Sequence, residues 1–108
     1  MTDSLLRRIP MVAGLAYIDR VRRLPPQSTV TLQPERENRY FLHAIAVLDD
    51  GEKVGYVAPE IARRYHASML AHVGALTCPA RRASAFDRQE SGIELILDFS
   101  DLPVTPEA

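Results

Sequence analysis

Four side chains of this sequence have the chemistry to ligate a metal ion: His43, His66, His72 and Cys78. Zinc sites draw such ligands from short, repeated spacings, and the chain has neither an H-x-x-x-H nor a C-x-x-C pair. His66 and His72 are six positions apart, which is about 240° around a helix, so they cannot share a ligand face. The sequence therefore predicts no metal site and no other cofactor.

Nucleophilic catalysis has equally little support among the serines and carboxylates. Ser68, Ser84 and Ser91 lack the G-x-S-x-G surroundings of a nucleophile elbow. The glycines are isolated, so no glycine-rich phosphate loop is present. Asp49 and Asp50 precede Gly51, where turn formation accounts for them. We therefore predict a binding module and not an enzyme.

Arginine and tyrosine remain as the residue types that can bind a ligand. Tyr17 and Tyr40 fall near strand ends, with arginines following or preceding each of them at Arg20, Arg22, Arg23, Arg36 and Arg39. Single-stranded nucleic acid needs this combination, because bases stack on rings while cations follow the phosphates. Tyrosines that close a core and arginines that are merely solvated remain the alternative interpretation.

Length and charge limit these possibilities. The 108 residues suffice for one domain, and the single cysteine excludes an intramolecular disulfide. The net charge of −1 is not that of a polybasic protein, although residues 1–86 hold 12 basic and 8 acidic side chains and residues 87–108 hold 1 and 6. No apolar run approaches the length of a membrane span, so we expect a cytoplasmic protein without membrane contact.

The pattern of apolar residues predicts six short strands and one main helix. The predicted strands are Met11–Ile18, Thr29–Gln33, Phe41–Leu48, Glu52–Val57, Leu76–Ser84 and a last one containing Ile93 to Phe99. A helix is expected to begin at Pro59 and to be stopped by Gly74. This order excludes a doubly wound parallel sheet and favours a mainly β protein with one or two helices: a small, partly open OB-like or SH3-like antiparallel barrel. We expect an N-terminal arm (1–10), the barrel domain (11–100) and a flexible tail (101–108).

Three segments resemble the HIRAN domain family. QPERENRYFLHAIAV (33–47) and GEKVGYVAPEIA (51–62) follow two motifs of that family, and VAGLAY (12–17) is similar to its first strand. The spacing within G-x-x-V-G-Y-x-x-x-x-I-A is the more specific of the two motifs. The resemblance covers nearly the whole chain and implies a small β-barrel like those found alone in bacteria or fused to helicase-type proteins of DNA repair and remodelling.

The resemblance also implies a function and a set of residues. In the eukaryotic branch of the family the domain captures single-stranded DNA at its free 3′-hydroxyl end, and Tyr17 and Tyr40 fall on the aromatic positions that cradle the terminal bases. We therefore predict a nucleic-acid-binding module, with single-stranded DNA as the ligand. The predicted contact residues are Tyr17, Tyr40, Phe41, His43, Arg20, Arg22, Arg23 and Arg39.

The sequence departs from that branch at the positions that confer end recognition. Phe41 replaces the aspartate that grips the terminal hydroxyl, and phenylalanine cannot accept a hydrogen bond. Ala16 replaces a basic residue, His43 an asparagine, and Val57-Ala58-Pro59 contains no lysine. A second hypothesis follows: an accessory module that has lost end-specific binding and uses Phe41 to contact a partner protein of the helicase or nuclease type.

Overall fold

The computed structural model describes residues 6–39, 41–87 and 93–107. Within these ranges the chain forms six strands and two helices. In chain order they are β1 (Ile9–Val12), α1 (Ile18–Arg22), β2 (Gln27–Pro34), β3 (Ile45–Asp49), β4 (Glu52–Val57), α2 (Pro59–Ala71), β5 (Leu76–Arg82) and β6 (Ile93–Leu97). No helix in the described part of the chain is long and apolar enough to cross a membrane.

The strands form a closed antiparallel barrel in the order β1-β4-β3-β2-β5-β6. This confirms the predicted fold class, but the barrel is closed where the sequence suggested a partly open one. Closure comes from β1, whose Met11 pairs with Val57 of β4 on one side and with Leu95 of β6 on the other. Because every strand has two neighbours, the barrel has no free edge.

The core follows the period-two pattern that the sequence predicted. Val30 and Leu32 of β2 are buried between exposed or half-buried neighbours. In β6, Leu95 and Leu97 are fully buried in the same core, and Ile96 between them is buried in a second cluster with Ile93 and Ala83. Asp50 (φ 51°) and Gly51 (φ 81°) form a tight turn with both residues at positive φ, which joins β3 to β4 as a hairpin. These alternating strands are the parts of the fold most directly encoded by local sequence.

Two predicted strands were wrong in part. The segment Met11–Ile18 is strand only as far as Val12, and Ile18–Arg22 forms α1, one and a half turns of helix. Strand β3 begins at Ile45, four residues later than predicted, because residues 41–43 are exposed and lead through a turn into buried Ala44. Helix α2 begins at Pro59 as predicted but ends at Ala71, before Gly74.

Both ends of the described chain contact the barrel. Strand β1 begins within the segment predicted as an arm, and the Phe99 N–H donates to the carbonyl of Leu6. In the segment predicted as a tail, Leu102 and Val104 pack against the core and the Glu107 N–H donates to the Arg64 carbonyl.

Gly55 is required where β4 passes close to its neighbour β1. A Cβ at this position would lie 2.6 Å from the Val12 carbonyl oxygen and 2.7 Å from Cε of Met11. Neither the strand backbone nor a fully buried methionine can move away without disturbing the barrel. The glycine of the V-G-Y motif is therefore explained by close approach of two strands.

We expect Gly55→Ala to lower the free energy of unfolding by about 1–3 kcal/mol, as overpacking of a core does. Urea unfolding measures the loss. Gly14→Ala is the matched control, because a Cβ at Gly14 meets nothing within 4 Å, and it should change stability by less than about 1 kcal/mol. Equal stability of the Gly55→Ala and wild-type proteins would contradict the close approach.

Candidate functional site

A cleft of about 610 Å³ opens where β1 and β4 end and the two helices begin. Its size is typical of a small-ligand site. Most of its lining is apolar, and none of the described residues that line it is acidic. They are Val12, Ala13, Gly14, Tyr17, Phe41, Leu42, His43, Ala44, Tyr56, Val57, Pro59, Ala62 and Arg63. The cleft therefore offers aromatic and aliphatic surface with one permanent positive charge, Arg63.

Three aromatic rings form one wall of the cleft. Tyr17 lies at the N-terminal end of α1, and its ring is 6.4 Å from that of Tyr56, edge to face at 63°. Phe41 lies 6.0 Å from Tyr56 on the other side, tilted by 43°. Phe41 is 43% exposed, so it is not part of the barrel core. The three rings offer stacking surface to a planar ligand.

Tyr56 is held in place by an ion pair beneath it. Lys53 Nζ donates hydrogen bonds of 2.8 Å both to the Tyr56 hydroxyl and to Glu35 Oε2. The same ammonium lies 4.9 Å from the centre of the Tyr56 ring. The hydrogen bond to Glu35, with that to Tyr56, raises the pKa of Lys53 above its ordinary value. Burial acts to raise the pKa of Glu35, but hydrogen bonds from Lys53 and Asn38 outweigh it and leave that pKa lowered. Both groups stay charged at neutral pH, which fixes the orientation of Tyr56.

Glu35 also fixes the loop that carries Phe41. Its carboxylate accepts a hydrogen bond of 2.7 Å from Asn38 Nδ2, and Asn38 Oδ1 accepts from the Phe41 N–H at 2.9 Å. The backbone N–H of Glu35 donates to the Ala44 carbonyl at 2.9 Å. One side chain thus connects the two walls of the cleft, the Tyr56 wall and the 35–44 loop. These partners hold residues 41–43 in the turn that replaces the predicted strand.

Two histidines, His43 and His66, contact each other edge to face at 71°. His43 lines the cleft, and its ring lies 5.4 Å from that of His66 on α2. His66 is buried, and its Nε2 lies 2.7 Å from the Glu35 carbonyl oxygen. Because a carbonyl oxygen only accepts, Nε2 carries the proton in this contact. His66 thereby joins α2 to the same loop. Within the described residues no group of three or more potential ligands is arranged to hold a metal ion.

The structure separates the predicted contact residues into two groups. Tyr17, Phe41 and His43 line the cleft, and Arg39 lies on the surface next to it, beside Leu42. Tyr40 lies outside the described residues. We refer to Arg20, Arg22 and Arg23 as the α1 arginines. They do not line the cleft, so the structure does not bring them together with Tyr17 there, and their role in binding stays a prediction.

Two of the α1 arginines, Arg20 and Arg23, already have local partners in the protein, whereas Arg22 is exposed. Arg20 donates to the Lys53 carbonyl at 3.1 Å and lies 3.7 Å from Glu52, and Arg23 donates to the Asp19 carbonyl. Together with Arg20 and Arg23, Asp49 and Glu52 line a separate small depression. This face therefore has little net positive charge.

Two cleft residues were missed at the sequence level. Tyr56 belongs to the V-G-Y motif. It precedes buried Val57 in β4, and because successive side chains of a strand point to opposite faces, Tyr56 lies on the outer face. Arg63 lies one turn into α2, whose first turn forms the floor of the cleft. The alternation of β4 was a usable signal for Tyr56; nothing local marks Arg63, because its role depends on where α2 packs.

Comparison with known families gives one match. The sequence profile of the HIRAN domain matches residues 11–97. No curated protein and no solved structure matches the chain significantly. The matched range includes every described residue that lines the cleft.

Proposed function

The chain belongs to the HIRAN domain family, and from that premise we propose that it binds single-stranded DNA in the aromatic cleft. The HIRAN domain is a nucleic-acid-binding module and not a catalytic one. The observation that carries the proposal is the wall formed by Tyr17, Tyr56 and Phe41, beside a lining without acidic residues. Each base that stacks on such a ring contributes about 1–3 kcal/mol.

The cleft suits one or two unpaired bases of a longer strand. An apolar wall accepts the face of any base, so we expect little sequence preference. Arg63 is placed to meet a phosphate next to the stacked base. A strand opened during DNA repair or remodelling has the unpaired bases that this site requires.

Recognition of a 3′ end is the part of the family function that this cleft supports least. In the family branch that recognises a 3′ end, a carboxylate accepts the hydrogen bond of the terminal hydroxyl, and the described lining contains no carboxylate. Phe41 presents a hydrocarbon ring there. We therefore propose binding along the strand with at most a weak preference for its 3′ terminus.

Fluorescence anisotropy with a labelled strand of about eight nucleotides tests the proposal. Three phosphate contacts predict a slope near −2 for log affinity against log salt, so fourfold more salt should cost roughly 20-fold in affinity. Strands ending in a 3′-hydroxyl and in a 3′-phosphate should bind within about threefold of each other. A strong preference for the free hydroxyl would show that the cleft grips the end without a carboxylate. No binding even at low salt would reject the proposal.

One observation favours a second function, contact with a partner protein. Leu42 and Phe41 line the cleft and are 81% and 43% exposed, and Leu15, which follows the cleft residue Gly14 in the chain, is 94% exposed. Exposed apolar side chains in one area are typical of protein-binding surfaces. A helicase- or nuclease-type protein is the partner that the family associations suggest. Absence of strand binding at low salt would favour this function over the first.

A further inference from the structure

The cleft continues onto a second surface across Leu42. This side chain lines the cleft and also lines a shallow depression formed with residues 36–39. We refer to residues 36–39, which are Arg36, Glu37, Asn38 and Arg39, as the arginine loop. Leu42 is 81% exposed between the two surfaces, so a strand that leaves the cleft on this side meets apolar surface first and arginine next.

The two arginines of this loop are exposed and available. Within the described ranges, neither guanidinium has a hydrogen bond or an ion pair, whereas Arg20, Arg23, Arg81 and Arg82 all donate to protein oxygens. Their backbone is nevertheless fixed, because Asn38 is held between the Glu35 carboxylate and the Phe41 N–H. Binding would therefore order two side chains and not a whole loop, which lowers its entropic cost.

We propose that the strand runs from the cleft over Leu42 and along the arginine loop, with successive phosphates on Arg36 and Arg39, and that it does not cross α1. This path rests on the proposed function of the cleft. Arg20 of α1 and Arg23, which caps its C-terminal end, offer an alternative path, but Asp49 and Glu52 share their depression. The guanidinium fork pairs well with phosphate oxygens, so the path with unpaired guanidinium groups is favoured.

Glu37 offers a test of the path in which a substitution strengthens binding instead of weakening it. Its exposed carboxylate lies in the same depression as the two arginines. A phosphate on this surface is repelled by Glu37, so removal of the charge strengthens binding along this path. Binding along α1 is indifferent to Glu37.

The test compares the salt dependence of binding in two double variants. Arg36→Ala/Arg39→Ala should weaken binding of a strand of about eight nucleotides and reduce the steepness of the salt slope by about 1.4, at roughly 0.7 per lost phosphate contact. Arg20→Ala/Arg23→Ala is the matched control and should change the slope by less than about 0.3. Glu37→Gln should bind more tightly than wild type. Circular dichroism confirms that each variant is folded.

Binding of a dinucleotide distinguishes contact with the cleft from contact with the arginine loop. It fills the cleft without reaching the loop, so the Arg36→Ala/Arg39→Ala variant should bind it with wild-type affinity. The path would be overturned if the Arg36→Ala/Arg39→Ala variant bound the longer strand with the affinity and salt slope of wild type. It would also be overturned if Arg20→Ala/Arg23→Ala lost as much affinity as that variant. Either result would leave the proposed function of the cleft unaffected. Absence of wild-type binding at low salt would overturn both.

Discussion

Replacing Tyr17 and Tyr56 together with alanine is expected to weaken binding of a short single strand by about 2–4 kcal/mol, or roughly 30- to 900-fold. Each ring offers a stacking face, and each base stacked on a tyrosine is worth about 1–3 kcal/mol. The rings touch, with centroids 6.4 Å apart, so the double loss should differ from the sum of the single losses. Anisotropy titrations at one low salt concentration measure the change.

The salt slope distinguishes stacking from charge in the same experiment. Loss of two neutral rings removes no phosphate contact, so the affinity should fall while the slope remains that of wild type. Tyr17→Phe/Tyr56→Phe retains both rings and should retain most of the affinity. Val73→Ala is a control for removal of an exposed apolar side chain, because Val73 is 93% exposed beyond the far end of α2. Wild-type affinity in the double alanine variant would exclude the aromatic wall as the binding surface.

The fold class could be predicted because most strands obey a local rule. Alternation in β2 and β6 and the Asp50-Gly51 turn each specify structure over a few residues. The 11–18 segment defeated this logic because its continuous apolar run predicts a buried strand, whereas residues 13–17 form a turn in which Leu15 is 94% exposed. A helix of five residues is too short to show a period of its own.

The site was predictable only where it coincides with a motif. Tyr17 was selected from the pattern of tyrosines and arginines and again by the family resemblance, and Phe41 and His43 by that resemblance alone. The structure places all three in the lining of the cleft, and their contact with a ligand stays a prediction. The role of Glu35 was not visible, because its partners Lys53 and His66 are 18 and 31 positions away. The α1 arginines show the converse case, since their closeness to Tyr17 in sequence does not place them in the lining of the cleft. Tertiary contacts decide both cases.

Asp87 is the ionisable group whose removal should destabilise the protein most. It is 2% exposed, and it ties the segment before β1 to the end of β5. Its Oδ1 accepts from Arg8 Nε at 3.1 Å, while Oδ2 accepts at 2.8 Å from Arg81 and from both the N–H and the hydroxyl of Ser84. Truncation would remove the one buried acceptor that Arg8, Arg81 and Ser84 share. We expect Asp87→Ala to lower the free energy of unfolding at pH 7 by about 2–4 kcal/mol, or roughly 8–16 °C in Tm.

The contribution of Asp87 should depend on pH in a defined direction. The Arg81 hydrogen bond, with those from Ser84, outweighs burial and holds the pKa of this carboxyl well below its usual range. The folded protein therefore binds fewer protons at Asp87 than the unfolded chain, whose aspartates titrate near 3.9. The stabilisation is complete above that pH and is lost as the pH falls below it. The stability gap between wild type and Asp87→Asn, measured by urea unfolding, should be widest at pH 7 and narrower at pH 3. Asp101→Asn is the control, because Asp101 is exposed and its substitution should leave the free energy of unfolding at pH 7 nearly unchanged. If wild type and Asp87→Asn differed in stability by the same amount at pH 7 and at pH 3, then packing, and not the charge of Asp87, would hold these segments together.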